Sequence, residues 1–147
     1  MAWGYLKMYE ITRNPDYIAK AASCLDWLDV NKSKGFPNHS WGNHFDFTSR
    51  GGRLPKHESI IVWTSLIGQV YLDAYELIGE ERYLNIARSV CAWILNVPRE
   101  RTEKGACLSY EAQRTSSIHN SNMLGAAMLS RASKYFGRSP YMDVARE

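Results

Sequence analysis

Apolar residues recur along this chain in helical steps, and the steps come in pairs. Over 58–78, Ile60, Trp63, Ile67, Val70, Ala74 and Leu77 fall three or four residues apart, which predicts one face of a helix. Leu66, Tyr71, Leu72 and Tyr75 make its other faces apolar too, so cover on more than one side is expected. Over about 80–96, Tyr83, Ala87, Val90 and Ile94 form a single stripe, with Arg82, Asn85, Arg88 and Ser89 off it. Over about 15–29, Tyr17, Ala21, Cys24 and Leu28 repeat that stripe. These second helices look one-sided, hence outer. Short turns join the pairs: RNPD at 13–16, IGEE at 78–81 and FGRSP at 136–140. Pro15 and Pro140 suit the first turn of a helix, where a missing N–H costs nothing. No period-two pattern of useful length occurs, so no strand is expected. The chain is read as all-α, built of tandem antiparallel helical hairpins.

The pairs are copies of one another. YEITRNPDYIAKAASCLDWL (9–28) aligns without a gap on YELIGEERYLNIARSVCAWI (75–94), matching Tyr9 to Tyr75, Glu10 to Glu76, Tyr17 to Tyr83, Ala21 to Ala87 and Trp27 to Trp93. A third copy begins at KYFGRSPYMDVA (134–145), with Gly137 on Gly79 and Tyr141 on Tyr83. Upstream, IVWTSLIG (61–68) is similar to IHNSNMLG (118–125). The period is about 60 residues, and such a repeat decides the architecture. It divides residues 1–147 into hairpins at about 2–29, 58–96 and 116–147, all within one incomplete domain. The first inner helix lacks its opening turns and the last outer helix stops short. Part of a longer polypeptide is therefore expected, with self-association through the open hairpin ends as the other outcome.

The hairpin signature, an aromatic–Glu–aliphatic run before a tight turn and then xxYLxxARxxxxWI, resembles the α/α-toroid proteins, the six-hairpin or (α/α)6 barrels. It is carried by AYELIGEERYLNIARSVCAWIL (74–95), KMYEITRNPDYIAKAASCLDWL (7–28) and SIHNSNMLGAAMLSRASKYFGRSPYMDVAR (117–146). Families sharing it include N-acylglucosamine 2-epimerases, unsaturated glucuronyl hydrolases, polysaccharide lyases and the helical domain of glucuronyl C5-epimerases. The chain also resembles uncharacterised toroid proteins associated with surface-polysaccharide biosynthesis. The resemblance implies part of an (α/α)6 toroid whose long outer-to-inner connections, 31–57 and 98–117, ring the mouth of a central funnel.

Those connections hold the candidate chemistry. Residues 40–59, SWGNHFDFTSRGGRLPKHES, combine rings and titratable groups on an irregular stretch with three glycines. Trp41, Phe45 and Phe47 suit stacking on the C–H faces of a sugar or packing over the hairpin ends. His44, Asp46, Asn43 and Glu58 offer hydroxyl contacts. Arg50, Arg53 and Arg114 can grip a carboxylate or phosphate. His44, His57 and His119 are acid–base candidates, since imidazole titrates near neutrality. Ser59, beside His57, is a possible N-cap of the second inner helix. Tyr110, Glu111, Gln113 and Asn120 bring similar groups to the second connection. Asp46 or Glu58 with Glu111 would make a glycosidase-like carboxylate pair. The expected catalytic set is thus His57, His119, Glu58 and Asp46. The expected substrate-binding set is Trp41, His44, Phe47, Arg50, Arg53, Tyr110, Glu111, Arg114 and Asn120.

Bulk properties narrow the classes. The 147 residues are 45% hydrophobic and 12% aromatic, enough for a real core. A net charge of +3 comes from basic residues scattered among acids, which gives no footprint for nucleic acid. The mixed-sign run RERTEK at 99–104 reads as a solvated loop. Three cysteines without a CxxC spacing suit a reducing compartment, and no signal peptide or membrane span is evident, so a cytoplasmic location is expected. His39, His44, Asp46 and His57 are suitable metal ligands, but their spacing matches no familiar zinc pattern, so neither metal nor cofactor is expected. The function expected is action on, or binding of, an acidic or N-acylated saccharide by acid–base chemistry: epimerase, lyase or glycoside hydrolase. The alternatives are a helical-repeat interaction module and a non-functional truncated remnant.

Overall fold

In a computed structural model, residues 1–49 and 52–147 are described, and Arg50 and Gly51 lie outside the described residues. Six helices form three antiparallel hairpins: α1 (Ala2–Thr12) with α2 (Pro15–Val30), α3 (Ile61–Ile78) with α4 (Glu81–Asn96), and α5 (His119–Phe136) with α6 (Tyr141–Arg146). The fold is all-α, as the repeat requires. α3 lies between α1 and α5 and also packs on its partner α4, so it is the helix covered on several sides.

The turns follow local chemistry. Asn14 caps α2 by accepting the Asp16 N–H at 3.0 Å on its side-chain oxygen, with Pro15 at the first helical position. Arg13 ends α1 in the left-handed conformation that its repeat partner Gly79 adopts at the end of α3. Pro140 sits one position earlier than expected, at the N-cap of α6 rather than inside it.

Burial on the outer helix α4 matches its stripe: Tyr83, Ala87, Val90 and Ile94 are all buried. On α3 the sequence misleads. The buried side is Ile61, Thr64, Ser65, Gly68, Tyr71, Leu72 and Ala74, whereas Trp63 and Leu66 are exposed. Small residues occupy that side because neighbouring helices come close. A Cβ on Gly68 would stand 2.7 Å from Val90 Cγ1 and 2.9 Å from Met128 Cε. The repeat-equivalent Gly125 meets Ile61 and Leu108 in the same way. The repeat therefore preserves a packing contact as well as a hydrophobic pattern.

The connections are not strand-free. Within 31–57, β1 (Phe47–Ser49) pairs antiparallel with β2 (Gly52–Leu54), placing Phe47 opposite Leu54. Residues of the RERTEK run form β3 (Arg99–Thr102), paired with β4 (Gly105–Leu108). Both hairpins are too short to show alternation, since three or four residues on an exposed ribbon need no apolar face.

Candidate functional site

Both long connections lie at the same edge of the hairpin stack, and the backbone ties them together. Ile60 and Glu111 form an antiparallel bridge, and Ile61 N–H donates to Tyr110 O at 2.8 Å. Thr64 on α3 holds the first connection down, its Oγ1 accepting the Trp41 N–H at 3.0 Å. Ser59 is not an N-cap. Ile60 takes that position, and the buried Ser59 hydroxyl pairs with Ser40 Oγ at 2.7 Å.

Three cavities surround this edge. The first, about 460 Å³, lies between β1–β2 and residues 110–118 and is lined by Phe47, Leu54, Tyr110, Glu111, Arg114 and Ile118. The second, about 640 Å³, is lined by Lys32, Lys34, Lys56, His57, Glu58 and Gln113, among others. The third, about 410 Å³, is aromatic, with Trp3, Trp27, Trp41, His44, Phe45 and Trp63 in its wall. Such volumes suit a monosaccharide unit.

The candidates divide among these places. His44 and His57 meet edge to face with ring centroids 4.7 Å apart, and His44 also lies 5.3 Å from the Trp27 ring. His57 has φ 64°, uncommon for a residue with a side chain, and its N–H donates to Asn43 O at 2.6 Å. Partial burial, then the nearby charges of His44, Lys56 and Lys34, hold its imidazole toward the neutral form. Next to it, Glu58 Oε1 is buried without a hydrogen-bond partner among the described residues. Burial first, and Glu111 second, push the Glu58 carboxyl above its ordinary value. Two adjacent residues are therefore biased in opposite directions, the imidazole toward its neutral form and the carboxyl toward its protonated form.

Several expectations need correction. Trp41 is a core residue, 2% exposed, stacked on Tyr71 at 5.9 Å and donating its Nε1–H to Leu28 O at 2.8 Å. It borders the aromatic cavity but offers no open face. Asp46 does not reach the acid–base pair. It accepts the Lys56 N–H at 2.8 Å and the Arg53 guanidinium at 2.6 Å, which hold its carboxyl below its ordinary value. Arg53 is thereby closed on its own chain. Arg114 is closed likewise, with Nη2 2.6 Å from Glu111 Oε1. His119 and Asn120 are exposed at the start of α5, and the Asn120 side-chain oxygen accepts the Ser121 N–H. Neither lines the three cavities. The candidate Arg50 falls outside the described residues. Phe47, Tyr110, Glu111 and Arg114 do come together, in the first cavity.

Sequence reasoning missed Lys32, Lys34 and Lys56. The signal was weak, since isolated lysines in loops are ordinary surface. It also missed the exposed Trp27 and Trp63, 53% and 43% accessible: Trp63 lies on the predicted apolar face of the helix over 58–78, and Trp27 enters only as the repeat partner of Trp93. No group of three potential metal ligands occurs among the described residues. His39 instead bonds Asp29 and Ser89, each at 2.9 Å. Among the described residues, no helix is long and apolar enough to cross a membrane.

Hairpins stacked side by side with their wide connections on one edge define an α/α-toroid fold. Solved structures that share it include two family 76 glycoside hydrolases. One is the mannosidase Bt3792 from Bacteroides thetaiotaomicron VPI-5482, with TM-score 0.65 and 16% identity over 97% of this chain and 38% of that one. Another is a family 76 glycoside hydrolase from a bovine Bacteroides thetaiotaomicron strain, with TM-score 0.66 and 14% identity over 97% of this chain and 30% of that one. This chain thus spans about a third of the length of either neighbour. No family model and no curated protein sequence matches it.

Proposed function

We propose that this toroid segment serves a carbohydrate-active protein, and that it contacts an acidic or N-acylated saccharide at the edge where the two connections meet. The observation that carries the reading is the convergence there of His57, Glu58 and Glu111, flanked by exposed rings of Phe45, Phe47, Trp27 and Trp63. Exposed aromatic faces stack on sugar C–H groups, and they flank a carboxyl and an imidazole that can serve as acid and base. The positive φ of His57 adds to this, since backbone strain concentrates at functional positions. Glu58 is the proton donor in this proposal, His57 the base, and Glu111 the second carboxylate, oriented by Arg114. Glycoside hydrolysis is favoured over epimerase or lyase action by the names of the fold neighbours. The epimerase and glucuronyl-hydrolase alternatives rest on the hairpin signature. The free, buried thiols of Cys91 and Cys107 fit the cytoplasmic setting that belongs to this reading.

Isothermal titration against uronic acids, N-acylhexosamines, mannose and their oligomers is the test. Binding that survives in Glu58→Gln while turnover disappears supports it. Absence of binding by the intact polypeptide, with no effect of His57→Ala or Glu58→Gln, overturns it.

A second reading is carried by the side of α1 and α3 away from the core. A cavity of about 580 Å³ there is lined by Trp3, Leu66 and Val70, and Trp3 is 55% exposed. In this reading the surface pairs with a second copy of the chain. Sedimentation equilibrium of the chain and of Leu66→Glu decides it, with a monomer in both cases against the idea.

A further inference from the structure

The arginines best suited to an anion are already closed on carboxylates of their own chain. Arg53 Nη2 lies 2.6 Å from Asp46, and Arg114 Nη2 lies 2.6 Å from Glu111. Each guanidinium charge is thereby compensated by a carboxylate of its own chain, Arg53 through Nη2 and Arg114 through Nε and Nη2. The second cavity is different. Of its lysines, Lys32 leans on Asp29 at 3.8 Å and contacts His39 Nε2 at 3.1 Å. Lys34 and Lys56 have no ion pair or side-chain hydrogen bond among the described residues. Both ammonium groups act electrostatically on His57, which lies in the same wall. Glu58 is the one carboxylate among the residues lining this cavity, and its Oε1 is buried rather than extended toward the lysines. A cleft with several cations and one withdrawn carboxylate carries a positive potential that focuses on an anion. Its 640 Å³ is well beyond what a bare ion needs and is of ligand size.

The geometry points to this cavity as the site that holds the carboxylate or phosphate of an anionic saccharide, its charge seated between Lys34 and Lys56. The inference rests on the saccharide reading above and deepens it. The acidic group belongs to the lysine cavity beside His57 and Glu58, and the arginine-lined cleft keeps its carboxylates in place. A sugar anchored there sets its ring next to the acid–base pair, whereas one anchored at Arg114 would have to break the ion pair to Glu111 first.

The experiment titrates the intact polypeptide with D-glucuronate, D-glucose 6-phosphate, D-glucose and inorganic phosphate, at low salt and at high salt. The charged sugars are expected to bind about tenfold more tightly than glucose, with the preference shrinking at high salt. Comparison of glucuronate with glucose 6-phosphate distinguishes the two sources of charge. The Lys34→Ala/Lys56→Ala double variant should lose the preference. Lys34→Arg/Lys56→Arg should keep it, and so should Lys104→Ala, an exposed cation outside this cavity. All three lysines are exposed, so circular dichroism should show each variant folded. Equal affinity for charged and neutral sugars overturns the lysine site and leaves the saccharide reading standing. A preference that survives the double alanine variant, or that vanishes in Lys104→Ala, also overturns it. Phosphate binding that depends on the lysines, without any sugar binding, upholds the anion site and removes the saccharide reading. No binding of any of the four overturns both.

Discussion

A Cβ placed on Gly42 would stand 1.8 Å from the carbonyl oxygen of Glu58. The two strands of the first connection thus run in backbone contact, and only a residue without a side chain fits at position 42. Ile60 N–H donates to Trp41 O at 3.1 Å immediately alongside. Gly42→Ala must therefore push the 57–60 backbone outward, which displaces His57 and Glu58 together. A loss of about 3 kcal/mol of stability is expected, at the upper end of overpacking costs. Gly4 in α1 has nothing within 4 Å, so Gly4→Ala should instead add roughly 0.5–1 kcal/mol. Urea denaturation of the two variants checks the contrast; similar midpoints would refute it.

Trp41 and Trp27 separate structure from binding. Trp41→Ala removes a 2%-exposed ring and a hydrogen bond to Leu28 O, and should cost about 3–5 kcal/mol. Trp27→Ala removes a ring that is 53% exposed and tilted against His44, and should leave stability within roughly 1 kcal/mol. It should nonetheless weaken saccharide binding at the aromatic cavity. Thermal melts paired with titration calorimetry separate the effects, and a large drop in Tm for Trp27→Ala would contradict this assignment.

How much of this was legible in the chain depends on which force set each position. The outer helix α4 was legible because its stripe of Tyr83, Ala87, Val90 and Ile94 is buried by hydrophobicity alone. The buried face of α3 was not, because Thr64 serves a hydrogen bond and Gly68 a close approach, which hydropathy does not register. The shared edge of the two connections followed from the repeat, and Glu58 and Glu111 were found there. The division of the cations was invisible. Arg53 and Arg114 look free in sequence, and only folding brings Asp46 and Glu111 onto them. Packing of Trp41 was one of two readings the loop allowed, and a tryptophan flanked by glycine and serine carries no periodic signal to choose between them.

Arg131 joins α5 to α3. Its Nη2 lies 2.6 Å from Asp73 and 2.9 Å from Glu76, and its Nη1 lies 3.0 Å from the Gln69 side-chain oxygen. With a planar fork spread over three partners, lysine cannot replace it. Arg131→Lys is expected to cost about 1–3 kcal/mol, and Arg131→Ala at least as much, because the partly buried Asp73 loses its counter-charge. Chemical denaturation at low and high salt is the measurement. No change in stability for either variant would show that the network contributes nothing.

Glu58 predicts a pH dependence of definite sign. Its carboxyl is raised above 4.5 in the folded chain, chiefly by burial and next by Glu111, so the folded state binds the proton more tightly than the unfolded one. Stability from this group is therefore highest below 4.5. It falls as pH rises through the folded value, and it is constant beyond that. Glu58→Gln cannot ionise and should escape the loss. The variant and the parent should be closest in stability at acidic pH, with the variant relatively more stable toward neutrality. The alkaline limb of a bell-shaped rate profile, where the proton donor is lost, or the Glu58 side-chain carboxyl followed by NMR titration, gives the same value independently. Titration of Glu58 at or below 4.5 would remove the proton donor from the proposed chemistry and leave the edge as a binding surface only.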